Sequence, residues 1–150
     1  MSKNFGAFML IASIIYVVFT FSVQYLAVAD SDNQTAVTNS ARNAMTEAIN
    51  LGNQRVNEKV TINEDVAIEA TLRMYAATSD FEDGARYLNI HEVNSDPAYI
   101  AVDSYLEIWT PFKRTVNKYL ENPKSAQPNI ARSREIVIYE AKPTVRPSKE

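Results

Sequence analysis

FGAFMLIASIIYVVFTFSVQYLAVA, Phe5 to Ala29, is a run of 25 mainly apolar residues interrupted only by Ser13, Thr20, Ser22 and Gln24. No charged side chain occurs between Lys3 and Asp30. As a helix the run would be roughly 37 Å long, enough to cross a hydrocarbon layer of about 30 Å with some tilt. Its many β-branched and aromatic residues cost little in lipid, where leaving backbone groups unpaired is the worse alternative. Lys3 and the amino terminus stand on one side and Asp30 and Asp32 on the other, which by charge bias puts the amino terminus in the cytoplasm. The run therefore decides the layout: residues 1–6 as a cytoplasmic leader, 7–29 as a transmembrane helix or signal anchor, 30–141 as an extracytoplasmic domain and 142–150 as a flexible tail.

Three fates fit the run. Its length suits an uncleaved signal anchor. Ala27-Val28-Ala29 before Asp30 matches the small-residue pattern of a signal-peptidase site, with Ala29 and Asp30 flanking the bond. The short basic stretch ending in Gly6, followed at once by Ala7 and the hydrophobic helix, reads as a prepilin-type leader.

The 150 residues are 46% hydrophobic and 22% charged, with three glycines, one histidine and no cysteine. The absence of cysteine removes disulfide frameworks, thiolate metal sites and cysteine nucleophiles. His91 alone cannot make a multi-histidine metal site, and Gly6, Gly52 and Gly84 are too few and too scattered for a P-loop or a dinucleotide turn. A net charge of −3 disfavours nucleic-acid binding by the whole surface. No cofactor is implied.

Outward from the apolar run, Ser31-Asp32-Asn33-Gln34 has the spacing of a capping box and predicts a new helix from about 33 to 58. Its apolar stripe is Val37, Ala41, Ala44, Ala48 and Leu51, with Met45, Ile49 and Val56 alongside. Its alanines allow close approach of its own domain or of a second copy. Thr61-Ile62-Asn63-Glu64 predicts another helix start, continuing to about Ala77 through Val66, Ala70 and Met74 with Ile68, Leu72 and Tyr75 beside them. A polar turn over 78–84 follows; as a calcium loop it fails, since the first and third ligand positions would be Ser79 and Phe81.

The period then changes to two. Tyr87–Val93 and Tyr99–Trp109 read as a hairpin about the Asn94–Pro97 turn, with Ile100, Val102, Leu106 and Ile108 on the apolar face and only Ser104 interrupting it. Trp109 is expected in the core. After Pro111, residues 112–120 suit either a strand or a short helix; 122–128 is a loop and Glu135–Ala141 a last strand. The fold class is α+β: an N-terminal transmembrane helix, one or two amphipathic helices, then a small antiparallel sheet of three to four strands.

Charge is unevenly divided. Residues 30–109 carry five basic and fourteen acidic side chains, and residues 110–150 nine basic and four acidic. The halves could neutralise one another within one domain, or the basic part could meet the acidic part of a neighbouring copy, an anionic lipid or cell-wall polymer, or DNA. Lys113, Arg114 and Lys118 form the candidate anionic-partner patch. For catalysis, His91 and Glu92 should point to opposite faces of a strand; Asp80, Glu82 and Asp83 are paired carboxylates such as any acidic turn has. No catalytic residues, metal site or small-molecule substrate is evident, and a non-enzymatic role is expected.

The leader ending in Gly6, the hydrophobic helix, the alanine-rich helix and the small α+β head resemble type IV pilin-like proteins. Within them, Asn39-Ser-Ala-Arg-Asn-Ala44 is similar to the post-membrane stretch of TadE-like minor pilus proteins; the resemblance covers residues 1 to about 50. It implies processing between Gly6 and Ala7, and packing of the helix with copies of itself or with other membrane or pilus assembly proteins. The glutamate such proteins usually carry five residues after the cleaved bond is Ile11 here, which implies a minor component rather than a major subunit. The competing expectation is a single-span anchored binding module that recognises an anionic partner.

Overall fold

The computed structural model describes residues 2–57, 59–78, 84–119 and 127–139. The tail at 142–150, most of the 122–128 loop and most of the 78–84 turn lie outside these residues. The first element, α1 (Ser2–Ala48), is one uninterrupted helix of 47 residues, about 70 Å long. Its first half, from Phe5 to Val28, is exposed or at most half-buried throughout; Ala29 is the first buried residue. Here the hydroxyls of Thr20 and Ser22 donate to the carbonyls of Tyr16 and Val18, both at 2.9 Å, so these polar side chains are satisfied within the helix.

The helix break expected at Ser31 does not occur. A capping box ends a helix only where the preceding chain is free to depart, and residues on both sides of Ser31 are held by the same domain. Ala29, Asn33, Ala36, Val37, Ser40, Ala41, Ala44, Met45 and Ala48 are all buried, at the three- and four-residue spacings of one helix face. The helix ends at Ala48 instead, where Ile49 makes a single antiparallel bridge to Ile62. Around it, Asn50 N–H donates to the Thr61 carbonyl and Asn63 N–H to that of Ala48, both at 2.9 Å. This resets the helical phase. Leu51 and Val56, expected on the buried stripe, sit exposed on the short α2 (Leu51–Asn57), whose first turn is capped by the Asn50 side chain.

Next comes α3 (Glu64–Thr78). Its cap is Asn63 rather than Thr61: Asn63 Oδ1 accepts from Asp65 N–H at 3.1 Å and Val66 N–H at 3.3 Å. Thr61 instead accepts from the Asn53 side chain at 2.8 Å. The buried face of α3 is Ala67, Ala70, Thr71 and Tyr75, and Ile68 and Leu72 are left outside.

Three strands complete the fold: β1 (Ala85–Asn94), β2 (Ala98–Ile108) and β3 (Asn129–Tyr139), antiparallel in the order β1-β2-β3. The last strand begins six residues earlier than the period predicted. The segment after β2 is a helix, α4 (Pro111–Tyr119), and the strand alternative is not adopted. Pro111 starts this helix: Thr110 Oγ1 accepts from Lys113 N–H at 3.3 Å, and proline stands at the first helical position, where no N–H is needed. Trp109 lies out of step with its buried neighbours Ile108 and Thr110 and is half-buried rather than core. Gly84, before β1, has φ 124°, and a Cβ there would stand 2.1 Å from the Glu107 carbonyl oxygen.

The head is thus two layers, with the second half of α1 and α3 on one face of the sheet. Met45, Val37, Ile62, Tyr75, Ile100 and Val102 form the main core, and Ala29, Leu106, Ile108 and Ala131 a second cluster nearer the exposed half of α1. At the centre is Asn33, fully buried. Its Oδ1 accepts from Ser104 Oγ at 2.6 Å and Tyr75 Oη at 3.0 Å, and its Nδ2 donates to Ser133 Oγ at 3.3 Å. One amide therefore joins α1, α3, β2 and β3. Ser104, which interrupts the apolar face in the sequence, is there to meet it.

Candidate functional site

Two features of the chain invite a partner: the apolar half of α1, which we call the stem, and the end of the head from which it leaves. One helix among the described residues is long and apolar enough to cross a membrane, and none of its apolar window is buried. Gly6 and Ala7 lie in its first turns, exposed, with nothing within 4 Å of where a Gly6 Cβ would be. Neither packing nor backbone geometry requires glycine there, although it disfavours a helix interior. Ala29 and Asp30 differ from this pair. Their bond lies inside the unbroken helix, and Ala29 is packed in the second cluster with Tyr25 and Leu26 against it.

The basic triad does not converge on one face. Lys113 is turned back into the head, where Nζ donates to Asn129 Oδ1 at 2.7 Å and to the Gln127 carbonyl at 3.2 Å. Arg114 and Lys118, four residues apart on α4, are exposed and share a side. Phe112 and Tyr119 occupy the other flank, 56% and 78% exposed. Phe112 lines an apolar groove of about 740 Å³ whose opposite wall is the stem, from Ile14 and Ile15 through Phe19 and Val23 to Leu26. Sequence reasoning picked the basic residues of α4 and missed its aromatic ones. Their signal was the spacing of Phe112 and Tyr119, two helical turns apart.

The outer face of the sheet is not covered by any described element. Tyr87 and Tyr105 stack there with ring centres 4.6 Å apart, beside Arg132, which pairs with Tyr105 in register. The strand alternation that should separate His91 from Glu92 is broken by a bulge between Ile90 and Glu92, so both are exposed on this outer face. His91 Nε2 comes within 2.7 Å of Asp103 Oδ1, without the alignment of a hydrogen bond. Glu92, hydrogen-bonded to the Tyr99 hydroxyl, raises that phenol above its ordinary pKa. Among the described residues no three of histidine, aspartate and glutamate form a group that could hold a metal ion.

The charge asymmetry of the sequence is only partly resolved by contact between its halves. Arg42 bridges Glu135 at 3.1 Å across them, while Arg73–Glu47 and Arg86–Asp32 lie within the acidic half. No protein-family model, curated protein or solved structure matches the chain.

Proposed function

We propose that the protein is a non-enzymatic, membrane-anchored structural subunit, a pilin-like or minor component of a surface pilus or secretion assembly, with its amino terminus cytoplasmic and its head extracytoplasmic. The observation that carries this reading is the single helix running from the stem into the core of the head. A tethered domain needs only a flexible linker after its anchor. Here the anchor is also the spine on which the sheet and α3 pack, so the head's orientation follows the stem's. Such coupling suits a subunit whose stems pack in an assembly and whose heads must then fall in register.

Two further observations support the reading. Removing the segment before Asp30 would strip Tyr25, Leu26 and Ala29 from the second cluster, which favours a retained stem over a discarded signal peptide. Gly6 has no structural duty, which suits a residue kept for recognition by a processing enzyme.

The test is the mature amino terminus. Coproduced with a prepilin peptidase, the chain should lose residues 1–6 and begin at Ala7 by mass spectrometry. Gly6→Val should abolish the cleavage while leaving the fold unchanged, since the added side chain meets open space. An intact amino terminus in the native host would remove the pilin reading.

A further inference from the structure

We propose that α4 is an interfacial helix that seats Phe112 and Tyr119 in the acyl-chain boundary of an anionic phospholipid leaflet, with Arg114 and Lys118 at the headgroup phosphates. The proposal rests on the reading that the stem spans a bilayer. It adds a second, peripheral contact that the anchor alone does not require.

Depth is the first argument. The groove between α4 and the stem reaches from Leu26, which packs on the head's second cluster, to Ile14. Those thirteen residues of helix correspond to about 18 Å. In a spanning stem most of this stretch lies within the head-side leaflet, whose hydrocarbon half is about 15 Å thick. Phe112 lines that groove with Thr110, Lys113 and Asn129, so the start of α4 faces the stretch of stem that a spanning helix places in the head-side leaflet. Tyr119 lies two turns further along the same flank, and the amphipathic tyrosine ring suits the headgroup boundary.

Chemistry is the second argument. The exposed surface of α4 pairs an aromatic flank with a basic one. That pairing suits a membrane interface, where the apolar flank enters the acyl region while long cationic side chains reach the phosphates. The α4 helix has the fixed attachment this needs: its start is capped by Thr110 and Pro111, and Lys113 ties it to Gln127 and Asn129. Arg114 and Lys118 are exposed on its outward side, and surface cations attract an anionic leaflet.

Depth-dependent fluorescence quenching in nanodiscs tests this with the full chain. Trp109→Phe removes the single native tryptophan. Tryptophan is then introduced singly by Val17→Trp, Phe112→Trp, Tyr119→Trp or Tyr99→Trp; the last lies at the opposite end of β2 from Ile108. The discs contain phosphatidylcholine, alone or with phosphatidylglycerol, and brominated acyl chains as quencher. Quenching is expected at positions 17, 112 and 119, at least about twofold above that at 99 in the mixed discs. Combined Arg114→Gln and Lys118→Gln should lower it at 112 and 119 and leave position 17 unchanged.

Quenching at 17 without quenching at 112 and 119 overturns the proposal and leaves the anchor standing. No quenching at 17 overturns the anchor itself. Equal quenching at 99 means that the head adsorbs at large, and also overturns the proposal. Equal quenching at 112 and 119 with and without phosphatidylglycerol overturns the assignment to anionic lipid.

Discussion

The two halves of α1 are one helix with opposite surfaces. From Phe5 to Val28 the side chains are apolar around the circumference but for Ser13, Thr20, Ser22 and Gln24, and the head's core clusters reach only the last turn, at Tyr25 and Leu26. From Ala29 to Ala48 the helix carries one narrow buried face of alanines with Val37, Met45 and the amide of Asn33, and its remaining positions are polar. The backbone is the same; the distribution of apolar surface around it differs. A helix apolar all round has no preferred direction in which to bury itself and is matched by a lipid environment. A helix with an alanine-lined face fits closely against a sheet on one side and leaves water on the other.

Paired substitutions, one in each half, would break this comparison if it were wrong. The largest difference is expected between the two methionines. Met45→Ala removes a fully buried side chain and should cost the head about 2–5 kcal/mol, lost transfer energy plus a cavity. Met9→Ala, at a position 54% exposed, should change head stability by less than about 0.5 kcal/mol. Chemical denaturation in one fixed detergent, followed by Trp109 fluorescence, measures both. Comparable losses would mean that the stem also packs within the head.

Next in size are the polar residues. Asn33→Ala removes the hydrogen-bond partner shared by the buried hydroxyls of Tyr75, Ser104 and Ser133 and should cost about 1–3 kcal/mol, whereas Gln24→Ala, exposed on the stem, should be neutral. Hydrogen exchange sharpens the result: loss of Asn33 should loosen α3, β2 and β3 together, and loosening of one element alone would count against a shared hub.

Alanine enlargements come third. Ala41→Leu, fully buried between helix and sheet, should cost about 1–3 kcal/mol by overpacking, and Ala12→Leu in the stem should cost nothing measurable. An equal tolerance at both positions would show that the alanine stripe is not a close-packed face.

The smallest effect lies on the outer face of the sheet, in contrast to both halves of the helix. Glu92 raises the Tyr99 phenol above its unfolded value near 10. A raised folded-state pKa contributes stability that is fully present below the unfolded value and is lost as pH rises through the folded one. An NMR titration should find Tyr99 ionising later than a model tyrosine, and Glu92→Gln should bring it back toward its ordinary range. Unchanged titration in that variant would remove Glu92 as the cause.

Much of this was readable without coordinates, and the exceptions share a cause. The apolar run, the helix over 64–77, the hairpin and the inward face of Ile100, Val102, Leu106 and Ile108 all follow from local period. The failures occur where a distant element overrules a local signal. Ser31-x-x-Gln34 is a valid capping box, yet Asn33 is claimed by side chains from three other elements. Leu51 and Val56 continue the stripe on paper, but the Ile49–Ile62 bridge ends the helix first. His91 and Glu92 share a face because one residue bulges from the ladder. Of the candidate sites, Gly6, Arg114 and Lys118 could be picked from residue type, whereas the tie of Lys113 to Asn129 and the setting of Phe112 against the stem could not.

The sequence by itself determined the elements whose causes are local: an apolar helix of membrane length, an amphipathic helical segment after it, a further helix and an alternating hairpin, combined as α+β. Only the tertiary structure decided that stem and spine are one continuous helix, that a lone amide joins four elements, and that α4 stands beside the stem. Periodicity reports which face of a segment avoids water. It carries no information about which distant segment will cover that face, or about whether a polar residue on it will find its partner.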